Sequence, residues 1–307
     1  MAIASIETRS LLVQQHLANL FKDSQPQAAT IFGAWLKEED LKDWTERYAK
    51  MSYFGYIPDK TMGGTFGFQE PELLPEKSFA PTSFGLAFAI EYELMRYAKF
   101  GAYSGIIPKM MKAAGATKNT SAYAIINFAF LTTDSRFTTY RTEALCATTH
   151  TRTDGTTGKN HPSTASAFGY LPMQEMWTDY ALLTNEKGLP ADMTPKTLII
   201  HASKEWEAKT ILGTAKRPGT ANNDINTMVG GLEIHCAGIY QSSTTAWFAT
   251  VAPGTLSADS GMCFKNAIPL ENRAYFDNQT WNTVFQVFGA WGVRVFDWLG
   301  FWGNPGA

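Results

Sequence analysis

The sequence predicts an α+β protein on three observations. Residues 107–131 form one long amphipathic helical run. Most of the remaining chain reads as strands and loops. Its end is rich in aromatic residues that leave no polar face, so both faces must be covered. A lone long helix needs a surface to lie on, and the strands supply it.

The helical run is IPKMMKAAGATKNTSAYAIINFAFL. Pro108 suits a first helical position, where its missing N–H would have no partner anyway. Met110, Met111, Ala114, Ala122, Ile125, Ile126 and Ala129 recur at helical spacing and make one apolar stripe. Lys109, Lys112 and Lys118 fall mainly off that stripe. Continuous, the run would be a rod of roughly 36 Å. Gly115 weakens its middle by about 1 kcal/mol relative to alanine and marks where a break would fall.

Composition narrows the function classes. The chain has 307 residues, 45% of them hydrophobic and 18% charged, which describes a folded protein with a sizeable core and not a disordered one. Nine tryptophans add large apolar faces. A net charge of −2 creates no global basic field, so contact with nucleic acid would be local. Cys146, Cys236 and Cys263 are too few and too scattered for a disulfide framework or a zinc site, and read as buried thiols in a reducing compartment. The opening MAIASIETRSLL lacks the apolar core of a signal peptide, and no apolar run is long enough to span a membrane.

In chain order, Leu11 to Leu20 suggest a short amphipathic helix, and Glu38 to Tyr48 another, charged on most sides. Residues 1–50 read as an arm lying on something else or as a flexible terminus. From Gly55 to Phe88, four prolines and five glycines break any helix. Thr65–Phe68 and Ser83–Phe88 alternate with period two, and together they read as a long two-stranded excursion. Such a hairpin is marginal alone in water, so it packs on something (a partner subunit is one candidate) or is a flexible flap. Ile90–Tyr103 reads as an amphipathic helix.

Past the long helix, ALCA is an apolar knot before a loop rich in Thr, Gly and Asp. Ser163–Leu183 is helical in pattern, with Pro172 at a turn and Gly188 a C-cap. Thr197–Ala202 reads as a strand, Ser203 as an N-cap, and KEWEAKTILG as a helix ending at Gly213. Leu232–Ala237 and Thr245–Val251 follow as strands. From Tyr275 to Trp302 ten residues in 28 are aromatic, and Val284–Phe288 and Val293–Trp298 read as two strands around Ala290–Trp291–Gly292.

The one stretch resembling a catalytic cluster is His150, Asp154, His161 and Ser163. A hydrolase needs nucleophile, base and acid in fixed geometry, and no GxSxG elbow is present. The same histidines with Asp154 lack the tight spacing of metal ligands. His201 and His235 sit inside apolar strands as core histidines. Gly63–Gly64 and Gly230–Gly231 are turn glycines, since no Lys-Ser/Thr follows to hold a phosphate. No cofactor is implied.

The order of parts is an arm, a Pro/Gly-broken excursion, a long helix, a mixed centre and an aromatic, strand-rich end. It resembles the major capsid proteins of tailed double-stranded DNA phages, the Hong Kong 97 fold. FGLAFAIEYELMRYAKFGAYSGIIPKMM is similar to that family's passage from extended loop to spine helix. ALCATTHTRTDG, TLIIHA–SKEWEAKTIL and LEIHCAGIYQSSTTAWFA resemble its central lobe, and GVRVFDWLGFWG its ending.

The resemblance implies a Hong Kong 97-type capsid fold, with residues 1–55 as an N-arm across a neighbour and 56–88 as an extended β-hairpin loop over an adjacent subunit. Residues 89–132 and 273–307 would be a peripheral domain with the spine helix, and 133–272 a mixed α/β axial domain. It implies contacts between subunits through Phe66, Phe68, Glu70, Glu72, Lys77 and Phe79, with Lys109, Lys112 and Lys118 facing DNA. The expected function is structural and non-enzymatic. Hexamers and pentamers of the chain would form an icosahedral head around double-stranded DNA, assembled in the host cytoplasm. The partners implied are further copies, portal and scaffold proteins, a decoration or cement protein, and DNA bound without sequence preference, with no membrane. Some members cross-link a lysine to an asparagine. Lys60 or Lys77 with Asn278 or Asn282 are the available residues, and we expect no cross-link. An encapsulin-like compartment and a hydrolase using His150 and Asp154 are the alternatives.

Overall fold

The computed structural model describes residues 29–91, 105–217 and 224–307, with Asn19 and Glu93. The long helix, α1, spans Ile106–Phe128 without interruption, about 35 Å of rod, and Gly115 is buried within it. The stripe reads the same way in space: Met110, Met111, Ala122, Ile125, Ile126 and Ala129 are all buried.

The helix lies on a four-stranded sheet. Its strands are β1 (Glu38–Asp40), β4 (Thr82–Ile90), β10 (Cys263–Phe276) and β11 (Thr283–Arg294), in the order β1-β10-β11-β4. β10 and β11 form a long antiparallel hairpin, β4 runs antiparallel along β11 from Ile90 opposite Thr283 to Thr82 opposite Trp291, and β1 adds in parallel to the start of β10. Ile107, Met110 and Met111 of the helix pack on Ile90, Phe285 and Val287. The indole N–H of Trp291 donates to Ser121 on the helix at 3.2 Å.

A second sheet has the order β12-β9-β7-β8, made of β7 (Thr197–Ile200), β8 (Glu233–Cys236), β9 (Trp247–Thr250) and β12 (Phe301–Asn304). Every residue of β7, β9 and β12 is buried. Helices α2 (Tyr170–Ala181) and α3 (Glu205–Gly213) contribute Met173, Met176, Ala208 and Ile211 to the same core. Helix α1 enters it through Tyr123 and Ile126, so the spine joins both sheets. A short α4 (Pro253–Asp259) starts on its proline and leads into β10. Two small ladders complete the set, β2 (Glu46–Tyr48) with β3 (Lys77–Phe79) and β5 (His150–Thr151) with β6 (Thr157–Gly158).

Several expectations are corrected. Glu38–Tyr48 is not a helix but contains β1 and β2, because its charges meet partners on distant strands: Lys265 pairs with Glu39 at 3.0 Å, and Arg294 with Glu46 at 2.8 Å. Thr65–Phe68 is not a strand, and the strand at Ser83–Phe88 pairs with β11 and not with it. The aromatic end is one unbroken strand to Arg294, followed by a buried non-strand segment and β12, since Gly289 and Gly292 leave room for neighbouring rings without breaking the ladder. Gly188 closes a turn from Asn185, with φ of +81°, and does not cap α2, which ends at Ala181. Ser203 does not cap α3: it lies inside a 3-10 turn, Ala202–Lys204, that is capped by His201, whose ring accepts from the Ser203 N–H, while the Ser203 hydroxyl donates to the Thr244 carbonyl. The helices expected at residues 11–20 and 90–103 fall outside the described residues, apart from Asn19, Ile90, Glu91 and Glu93.

Part of the segment expected to reach across a neighbour is seated in its own subunit. Phe32, Trp35 and Leu36 are fully buried, with Phe32 against Phe264 and Trp35 against Tyr123.

Candidate assembly surfaces

Residues 50–76 leave the body as an arm rooted on the β2–β3 ladder. Above that root, Ser52 N–H donates to Glu72 O at 2.7 Å and Leu74 N–H to Lys50 O at 2.9 Å. Further out no ladder continues. Gln69 bridges the legs, accepting from Gly55 N–H and donating to Tyr56 O, and nearer the tip the Lys60 ammonium lies over the Phe66 ring at 3.8 Å. The tip turns at Thr61–Gly64, where Gly63 has φ of +80°. Prolines 58 and 71 keep the legs extended and remove donors, so no strand forms although the legs run side by side.

Large apolar side chains on this arm face water. Ile57 and Phe68 are each 94% exposed, and Phe54, Tyr56, Met62 and Phe66 are exposed with them. An exposed apolar set of this extent on one segment marks an interaction surface. Of the six residues expected to make contacts between subunits, Phe66, Phe68, Glu70 and Glu72 are exposed here. Lys77 and Phe79 lie further in. They belong to β3 at the root, where Phe79 is buried and the Lys77 ammonium donates to the carbonyls of Thr138 and Arg136. Burial pulls the Lys77 ammonium down to about 8, against the pull of Asp134.

The root is held by charge. Burial alone would push the Glu39 carboxyl up, but the Ser257 hydroxyl and the ammonium groups of Lys265 and Lys37 hold it at about 2. Lys265 also reaches Glu46, and the Arg294 guanidinium lies over the Tyr48 ring at 4.0 Å.

A second surface lies where β4 ends the first sheet. Two adjoining hollows of about 260 and 220 Å³ run between β4 and α1 and share Phe84, Thr117 and Trp291. Leu86, Met110 and Val287 line one, and Phe79, Phe128 and Phe137 the other. Along this side the backbone of β4 has no strand partner among the described residues.

The three helix lysines separate. Lys109 and Lys112 are exposed on α1. Lys118 is 12% exposed, pairs with Glu38 at 3.3 Å and sits over Trp291 at 5.4 Å, so its charge is used inside the subunit.

The loop considered for catalysis is not assembled for it. The His150 ring is buried and stacked on Trp298 at 4.4 Å; Nε2 lies 2.8 Å from Asn160 Oδ1 and Nδ1 lies 3.1 Å from Glu143. With both nitrogens engaged, it offers no base to a serine. Burial lowers the His150 pKa, against the bonds to Asn160 and Glu143. Asp154 accepts from Thr156 in its own turn, which holds its carboxyl low, and Ser163 is exposed apart from both. Among the described residues no group of His, Cys, Asp and Glu is placed to hold a metal ion, and no helix is long and apolar enough to cross a membrane.

Sequence reasoning missed β10, whose Pro269 and charged run Glu271–Arg273 conceal a strand. The proline falls at register shifts, beyond the stretch that β1 covers, where no ladder bond is lost on its open side.

The profile of the phage capsid protein family matches residues 75–304, and the chain belongs to that family. It is a structural protein of the virion shell, a phage capsid protein with the Hong Kong 97-type fold. Solved structures share the fold at low identity. The virus-like particle from Pyrococcus furiosus is 9% identical, with a TM-score of 0.53 over 94% of this chain and 98% of the other. The capsid of bacteriophage JBD30 is 10% identical, with a TM-score of 0.57 over 70% of this chain and 91% of the other. The mature capsid of bacteriophage PhiM1 is 10% identical, with a TM-score of 0.55 over 90% of this chain and 86% of the other. No curated protein matches the sequence.

Proposed function

We propose that copies of this chain form the hexamers and pentamers of an icosahedral head around double-stranded DNA, and that the arm at residues 51–73 reaches a neighbouring subunit. One observation carries this reading. The arm holds Ile57, Phe66 and Phe68 in water with no core of its own beneath them. The hollows between β4 and α1 have the apolar lining to receive such side chains from the next copy.

The domain division follows the sheets. A peripheral domain takes residues 89–132 and the β10–β11 hairpin, and an axial domain takes 133–262 with residues 295–304, whose β12 joins the second sheet. Reaching across a neighbour is a role for the arm and not for residues 31–50. Exposed Lys109 and Lys112 are proposed to face DNA held without sequence preference, and the net charge of −2 fits a container more than a tight binder. Portal and scaffold proteins are the proposed partners of such a shell, with a decoration or cement protein as a further one, assembly takes place in the host cytoplasm, and the chain performs no catalysis.

Electron microscopy and light scattering test this on the chain alone or co-expressed with a scaffold. The double variant Phe66→Ser, Phe68→Ser should fold with an unchanged melting temperature and fail to close shells. Removing residues 57–68 should do the same, and it spares Leu74 and Phe79, which are buried in the body. Intact shells from either variant would overturn the role of the arm. Particles carrying protein cargo and no nucleic acid would favour an encapsulin-like compartment.

A further inference from the structure

Asp297 lies in the buried segment between β11 and β12 and is 1% exposed. Its Oδ1 accepts from the Trp298 N–H at 2.7 Å, and its Oδ2 is buried without a hydrogen-bond partner. The titratable and charged groups facing it come from three other segments. Glu186 approaches from the turn after α2, is itself 2% exposed, and accepts from the Tyr140 hydroxyl at 2.8 Å. Tyr140 comes from the loop after α1, and the Asp297 charge acts on its hydroxyl. Among the described residues Lys50, at the base of the arm, acts on the Asp297 carboxyl yet makes no ion pair with it, and Arg141, whose Nε–H donates to the Tyr140 hydroxyl at 3.2 Å, acts on Glu186. The Lys50 ammonium donates instead to the Asp259 carbonyl and to the Tyr53 hydroxyl.

Two buried carboxyls therefore act on each other with no ion pair to either among the described residues, while Lys50 is held by the Asp259 carbonyl, next in the chain to Ser260, whose carbonyl accepts from the Asp297 N–H at 2.9 Å. A carboxyl so placed keeps its proton, because ionisation would put a second negative charge in a dry site. Above the pH at which the proton leaves, Lys50 has a stronger partner than the Asp259 carbonyl.

We propose that Asp297 is a proton-controlled switch for the arm: protonated, it leaves Lys50 on Asp259 and the arm base as described; ionised, it draws Lys50 inward and loosens the base. Lys50 is well placed for this, since its own carbonyl accepts from Leu74 N–H and the next rung joins Ser52 to Glu72. Burial, and after it Glu186, pushes the Asp297 carboxyl up to about 7, against Lys50. That value lies above the ordinary 3.8, so the fold keeps this proton through weakly acidic pH and loses it as pH rises through about 7. The consequence for assembly rests on reading the arm as the reaching element, but the switch itself does not.

The test is hydrogen exchange on the full-length chain, held in one assembly state checked by light scattering, at about pH 5.5 and about pH 8.5. Protection factors, corrected for base catalysis of exchange, should fall at least about threefold at the Ser52, Glu72 and Leu74 amides at the higher pH. Asp297→Asn, which mimics the protonated form, should hold the low-pH protection at both values. Lys50→Met should remove the pH dependence while leaving the Asp297 titration visible by carbon NMR. Unchanged protection in the parent chain, or pH dependence retained in Asp297→Asn, would overturn the proposal. Failure to form shells would bear on the proposed function alone.

Discussion

The chain makes two long two-legged excursions, and they end differently. The β10–β11 hairpin is laddered along its length and flanked by β4, and α1 lies across it. Its turn is tied by Asp277, which accepts from Gln279 N–H and the Thr280 hydroxyl. The arm also carries large apolar side chains, but beyond its root the legs are joined by Gln69 and by Lys60 over Phe66, without a ladder, and those side chains face water. The first excursion is packed into the subunit, while the second presents apolar surface for which the subunit has no use. Spare apolar surface on a rigid root is what distinguishes an assembly element from a core element.

Matched substitutions in the two excursions test this contrast. The largest effect is expected for Phe285→Ala, which empties a fully buried site beneath α1 and should destabilise the subunit by about 3–5 kcal/mol in denaturant titrations. Next comes Gly289→Ala. A Cβ there would sit 2.4 Å from the Trp291 ring, which is itself held between Phe84 and the helix, so about 1–3 kcal/mol should be lost.

A smaller effect concerns acid. Glu39 lies below its ordinary 4.5, so its contribution is full above that value and is lost as pH falls toward about 2. Melting temperatures of Glu39→Gln should be lower than the parent's near neutral pH and converge with them in acid. The smallest effect is expected for Gly67→Ala. Its Cβ would meet Pro58 at 2.6 Å, but the exposed legs can part, so the melting curve should move by less than about 0.5 kcal/mol. If Gly67→Ala proves as damaging as Gly289→Ala, the arm is packed like the hairpin and the contrast fails.

Elements that carry their own signal were legible in the sequence. The helix stripe from Met110 to Ala129 is set by local periodicity, and TLIIHA is an apolar run bounded by Pro195 and Ser203, so α1 and β7 lie close to where spacing put them. Elements defined by distant partners were not legible. Glu38–Tyr48 looks like a solvated helix until Lys265 and Arg294, more than 200 residues away, take up its carboxylates. β10 is hidden by a proline that is harmless only because its side of the strand is open. The exposed part of the arm was visible as Pro- and Gly-broken, aromatic chain. Its inner limit was not, because the pairing of β3 with β2 turns Lys77 and Phe79 inward.

The root of the arm also has a mechanical meaning. β2 and β3 are joined by only three residue pairs, but Arg294 ties Glu46 to the end of β11, and Phe79 lies against Gly292 on the same strand. Arm and sheet are thus linked in series. A pull on the tip would load β11, whose twelve residues are bonded to β10 on one side and to β4 on the other, so the load would be spread over the whole first sheet.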